Sequence, residues 1–104
     1  MTADDILIDN GFVVLSEVGG WRYYKYDLAQ KGWVGRTKIG SHTAEFCNRC
    51  YIKKDEIKIE NLTMYWLVTP LDFCSFAHDV KVFVKEYKNN KQQLNIKNIN
   101  KDFE

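Results

Sequence analysis

Residues 69–88 read TPLDFCSFAHDVKVFVKEYK, and the fold turns on how that stretch is read. Thr69 suits an N-cap, and Pro70 suits the first helical position, where no N–H is needed. Asp72 stands three residues after the cap, where its carboxylate can close a capping box at the positive end of the helix dipole. Phe73, Phe76, Ala77, Val80, Phe83, Val84 and Tyr87 then recur at three- and four-residue spacing and line one face. Asp79, Lys81, Lys85, Glu86 and Lys88 fall largely outside that stripe, with Val82 near its opposite side. Lys85 and Lys88 complement the dipole, and Asn89-Asn90 ends the pattern, so the spacing predicts a helix over 70–88. Each apolar side chain contributes roughly 1.5–3 kcal/mol on burial, more than helix propensity supplies. This face must therefore cover a sheet.

The 104 residues leave room for one domain, 1–104, and the 45% hydrophobic content suffices for a globular core. A net charge of +1 argues against affinity that comes mainly from phosphate neutralisation. No signal-peptide pattern and no apolar run of membrane-spanning length are present, so no membrane association is expected. Three cysteines, an odd number in a chain that is not disulfide-dense, point to a reducing, cytoplasmic setting.

Before the helix the chain reads as short elements. Thr2-Ala3-Asp4-Asp5 followed by Ile6, Leu7 and Ile8 predicts a short N-terminal helix ending at Asn10-Gly11. Phe12 to Val18, Gly19-Gly20 and Trp21 to Asp27 form a hairpin signal. A two-residue turn at the glycines would set Val18 opposite Trp21, Glu17 opposite Arg22, Ser16 opposite Tyr23 and Leu15 opposite Tyr24. Alternation then places Val13, Leu15, Tyr24 and Tyr26 on the core face, and Trp21, Tyr23 and Lys25 on the other. Trp33 to Ile39 reads as a third strand, weakened by Gly35. His42 to Lys54 is compatible with a short helix through Ala44, Cys47 and Tyr51. Glu56 to Glu60 and Thr63 to Thr69 read as strands four and five, joined near Asn61. From Asn89 the tail is polar, either frayed or an edge strand through Leu94, Ile96 and Ile99. The expected fold is α+β: an antiparallel sheet of about five strands packed by a long C-terminal and a short N-terminal helix.

Three sets of residues could carry chemistry. Cys47-Asn48-Arg49-Cys50 has zinc-knuckle spacing, and Cys74 and His78 are helix neighbours, so the four together could hold a structural zinc ion. Against this, the gap between the pairs is long for a compact finger, and cysteines inside cells are commonly just small buried residues. Cys47–Cys50 as a redox pair would need a βαβ order that is lacking here. Cysteine–histidine catalysis through His42 or His78 lacks a recognisable acidic orienter and oxyanion loop. The third set is an aromatic–basic strip: Trp21, Tyr23 and Lys25, with Arg36 and Lys38 on the adjoining strand. Such a strip can be core under a second layer, a protein interface, or a platform for single-stranded nucleic acid.

The opening of the chain, with its acidic helix, Asn10-Gly11-Phe12, apolar strand, Gly-Gly and a strand bearing Tyr24 and Tyr26, resembles the start of small mRNA-interferase toxins of the HicA type. The likeness covers about a quarter of the chain. That family places a histidine directly after the hairpin glycine, where this sequence has Trp21, so the resemblance implies shared local architecture and an RNase activity does not carry over.

The expected function is a small non-catalytic protein that occludes another protein, a toxin or effector enzyme, in the manner of an immunity, antitoxin or anti-defence inhibitor. The expected contact residues are Trp21, Tyr23, Lys25, Trp33 and Arg36, with Asp4, Asp5 and Asp9 as a second surface. Single-stranded nucleic-acid binding through the same strip and a zinc-stabilised module are the alternatives.

Overall fold

The computed structural model describes residues 2–27 and 30–102, with side chains up to residue 96. Helix α1 (Ala3–Asp9) is followed by strands β1 (Val13–Val18), β2 (Trp21–Lys25), β3 (Gly35–Lys38), β4 (Thr43–Lys53) and β5 (Glu56–Trp66), then by helix α2 (Pro70–Asp102). The strands form one antiparallel sheet in the order β1-β2-β3-β4-β5. Both helices lie on one face, as the α+β reading expects.

The start signals act as read. The Thr2 and Asp5 side chains accept from each other's backbone N–H, and Asn10 caps the far end of α1. The Asp72 carboxylate accepts from the N–H groups of Val68 and Thr69, and Thr69 Oγ1 accepts from Asp72 N. Those backbone donors hold the Asp72 carboxyl below its usual range.

All seven residues of the α2 stripe meet the core. Phe76, Val80, Phe83 and Tyr87 are buried, and Phe73, Ala77 and Val84 pack half-buried against them. Phe46 sits beneath, its ring in edge contact with Phe12, Phe76 and Phe83. Gly35 is small for a reason: a Cβ there would approach Phe46 Cδ2 to 3.0 Å and the Glu45 carbonyl oxygen to 3.2 Å.

Four expectations are corrected. The stretch from His42 to Lys54 holds no helix; it is β4, eleven residues long. Glu56 to Trp66 is one strand rather than two. Asn61 takes a left-handed φ of 66° but stays in register, its amide donating to Asn48 Oδ1 at 2.6 Å. The five strands are thus five by different segments than expected. Helix α2 does not stop at Asn89-Asn90, nor does an edge strand follow; it continues to Asp102. Asn90 Nδ2 donates to Cys50 Sγ at 3.4 Å, and Lys91 pairs with Asp27, which fastens the helix beyond the expected stop. Ile99 lies within this helix and residues 103–104 lie outside the described chain.

The hairpin register holds for Val18–Trp21, Glu17–Arg22 and Ser16–Tyr23 and then slips by one at Leu15, so that Val14 faces Tyr24 and Val13 faces Lys25. Gly19 and Gly20 both take positive φ, as a tight primed turn demands. Of the expected core face, Tyr24 is fully buried and Tyr26 packs half-buried on Phe12 and Tyr87. Val13 and Leu15 are exposed, because β1 is the sheet's edge and all six of its residues lie open.

Candidate protein-binding face

The face of the sheet turned away from the helices has no layer over it among the described residues. Strand alternation and the pairing register lay its side chains out in rows. One row runs Ser16–Tyr23–Arg36–Glu45–Met64; the next carries Val18, Trp21 and Lys38, with Thr43 and Trp66 on β4 and β5.

In the middle of these rows Arg36 is held from several sides. Its guanidinium carbon stands 4.0 Å from the Trp21 ring centroid, 5.3 Å from Trp33 and 5.8 Å from Tyr23. Arg36 Nη2 meets Glu45 Oε2 at 2.9 Å, and Nη1 donates to the Tyr23 hydroxyl at 3.2 Å. Partial burial works against the charge, but Tyr23 and Glu45 more than offset it and raise the Arg36 pKa. Trp33 closes the cluster edge-on to Tyr23, with ring centroids 5.2 Å apart. Four of the five residues expected at this surface therefore form one preorganised group. Lys25 shares the face by register, one row away opposite Val13. Trp21, Tyr23 and Trp33 are half-buried by this mutual packing, not by a covering layer.

A second part of the face lies on β5, where Leu62, Met64 and Trp66 follow at every second residue and are 50%, 66% and 61% exposed. Trp66 leans edge-on toward His42. The sequence carried the signal for this strip, namely alternation of Leu62, Met64 and Trp66 against Thr63 and Tyr65. Dividing β5 at Asn61 concealed it.

The acidic trio disperses. Asp4 points inward, where its Oδ1 accepts from Tyr24 Oη at 2.5 Å and Thr37 Oγ1 at 2.7 Å and meets Arg22 Nη1 at 3.3 Å. Burial would raise its pKa, but the Tyr24 and Thr37 hydrogen bonds and the Arg22 charge together pull it below the usual value. In return, burial and the Asp4 hydrogen bond push the Tyr24 phenol well up. Asp4 thus ties α1 to β2 and β3, a role that no spacing in the sequence announces. Asp5 is spent on the cap of α1, and Asp9 is exposed at that helix's far end.

The four zinc candidates do not converge. Cys47 and Cys50 are three apart on a strand and so face opposite sides of it, Cys50 buried under α2. Cys74 is exposed one helical turn before His78. Asn90, which covers Cys50, lies 16 residues further on, about 24 Å along the axis, far outside any coordination sphere. Among the described residues no group of three or more such side chains could hold a metal ion. Burial and the nearby Glu45 charge push the Cys47 thiol up; Cys50 is pushed up by burial, against a hydrogen bond from Asn90. A raised thiol pKa is the reverse of what a ligand or nucleophile needs.

Comparison of the chain with protein-family models, curated proteins and solved structures returns no match. The reading of this face therefore stands on its geometry.

Proposed function

We propose that this chain is a small non-catalytic binding protein whose uncovered sheet face docks on another protein and occludes it. The observation that carries this reading is the Trp21–Tyr23–Trp33–Arg36 group, assembled in the free chain on a face with no layer above it. Interface hot spots are enriched in Trp, Tyr and Arg, and side chains already locked in place lose little freedom on docking. Glu45 neutralises Arg36, which suits burial in an interface better than a free guanidinium would. The partner we propose is a toxin or effector enzyme, with this protein as its immunity-, antitoxin- or anti-defence-type inhibitor in the cytoplasm. Free thiols at Cys47, Cys50 and Cys74 accord with a reducing compartment. No helix of the described chain is long and apolar enough to cross a membrane.

A second reading, single-stranded nucleic acid, is favoured by Lys38, whose Nζ stands 5.9 Å from the Trp21 ring centroid. The test combines affinity capture from the native host with a salt series. Trp21→Ala with Tyr23→Ala is expected to fold normally and to lose the captured partner, each truncation costing about 2 kcal/mol of binding or more. A partner retained by that variant overturns the docking assignment. Capture of nucleic acid whose affinity falls about a thousandfold between about 50 and 200 mM salt selects the second reading.

A further inference from the structure

Strand β5 ends the sheet. It pairs with β4 on one side, and among the described residues no strand meets its other edge. An edge strand presents a row of backbone N–H and C=O groups, which natural sheets guard with charges, prolines or bulges. Only the first half of β5 is guarded. There Glu56, Lys58 and Glu60 share the outer face, with Lys58 Nζ on Glu56 Oε2 at 2.9 Å, and left-handed Asn61 closes that half. The second half presents Leu62, Met64 and Trp66 instead. Its facing is fixed, because the intervening Thr63 and Tyr65 turn inward and accept from Asn48, while Tyr65 donates to Asp79. The opposite edge, β1, is interrupted by its irregularity at Leu15.

What suits such an edge is another strand, and among twofold axes through an outward-facing residue of β5 one register matches throughout. In an antiparallel twofold pairing about Met64, Met64 faces Met64 of the second copy, Leu62 faces Trp66, and Thr63 faces Tyr65, with no charge opposite a charge. A twofold about Lys58 or Glu60 sets like charges on the axis. One about Leu62 sets Lys58 and Glu60 against Trp66 and Met64. We propose that β5 pairs with β5 of a second copy of this chain about Met64, joining two five-stranded sheets into one of ten strands. A five-residue ladder sits at the small end of interface sizes, below about 1,200 Å² in total, so the dimer exchanges and depends on concentration. A twofold axis perpendicular to the sheet keeps both outer faces on the same side, so the dimer displays two Trp21–Arg36 groups together. The pairing itself does not use those residues.

Sedimentation velocity over about a hundredfold range of concentration around a micromolar-to-millimolar Kd tests the pairing. The wild-type mass is expected to rise from the 12.3 kDa monomer toward twice that value. Met64→Lys sets two ammonium groups across the axis and is expected to stay monomeric with an unchanged circular-dichroism spectrum. Leu62→Glu is expected to do the same, and Val14→Lys on the opposite edge to associate as the wild type does. A wild-type mass constant at the monomer value overturns the proposal. So does folded Met64→Lys or Leu62→Glu that associates normally, or loss of association in Val14→Lys.

Discussion

The two faces of this sheet are built from the same strands and have opposite fates. On the helix side, Tyr24, Phe46, Phe76 and Phe83 are fully enclosed, and the polar groups that enter are matched: Asp4 by two hydroxyls and an arginine, Asn48 by Thr63 and Tyr65, Tyr65 by Asp79. On the other side, all three tryptophans stand in the open or half so, and the charges are held among aromatic rings rather than beneath them. Alternation along a strand sorts the residues, but only the presence of a helix layer makes one set a core. Aromatic content by itself therefore says little about what stabilises this protein.

Substitutions on the two faces should separate accordingly. The largest effect belongs to Phe46→Ala, which removes a ring touching three others and should cost about 3–5 kcal/mol in denaturant unfolding. Asp4→Ala strands the Tyr24 and Thr37 hydroxyls and should cost about 2 kcal/mol, its partly exposed ion pair with Arg22 adding little. Because the folded pKa of Asp4 lies below the ordinary 3.8, its carboxylate stabilises the fold fully above that value. The contribution is lost as pH falls through the lower folded value. The stability gap between wild type and Asp4→Ala should therefore close in acid; a gap that widens on acidification would contradict the assignment.

Outer-face changes should be smaller. Trp66→Ala should cost less than about 1 kcal/mol, because that side chain remains 61% exposed. Trp21→Ala should cost about 1 kcal/mol through the lost stack on Arg36. A loss for Trp21→Ala as large as that for Phe46→Ala would show that position to be core. The smallest effect is expected from a chelator, which should leave the melting temperature unchanged, since the cysteines and His78 lie apart.

What could be read in the chain was what is encoded locally. Thr69-Pro70 with Asp72, and Thr2 with Asp5, announce helices through capping chemistry confined to a single turn, and Gly19-Gly20 announces a hairpin because only glycine adopts that turn freely. The β4–β5 hairpin was illegible for the converse reason. It turns on Lys54 and Asp55, both at positive φ without a glycine, so no punctuation marks it. The strand alternation in β4 is masked at Asn48, a polar residue on the core face that makes sense only once Thr63, Tyr65 and Asn61 are beside it. The irregularity at Leu15, which sets Val13 opposite Lys25, likewise falls where no glycine or proline marks it. Of the outer-face residues, Trp21 and Tyr23 followed from the hairpin count, and Arg36 from its place on the strand beside it. Leu62, Met64 and Trp66 did not, because Asn61 reads as a turn and behaves as a strand residue.

The reading of the molecule depends most on that second face being open in the single chain, and its tryptophans report on it directly because Trp21, Trp33 and Trp66 all belong to it. Acrylamide quenching of the native protein at high dilution should give partial access and an emission maximum between that of enclosed indoles and that of the unfolded chain, because Trp21 and Trp33 are half-buried and Trp66 is exposed. Trp66→Phe should remove the most accessible fraction. Blue-shifted emission and strong protection from quencher in the dilute monomer would mean that this face is covered within its own chain.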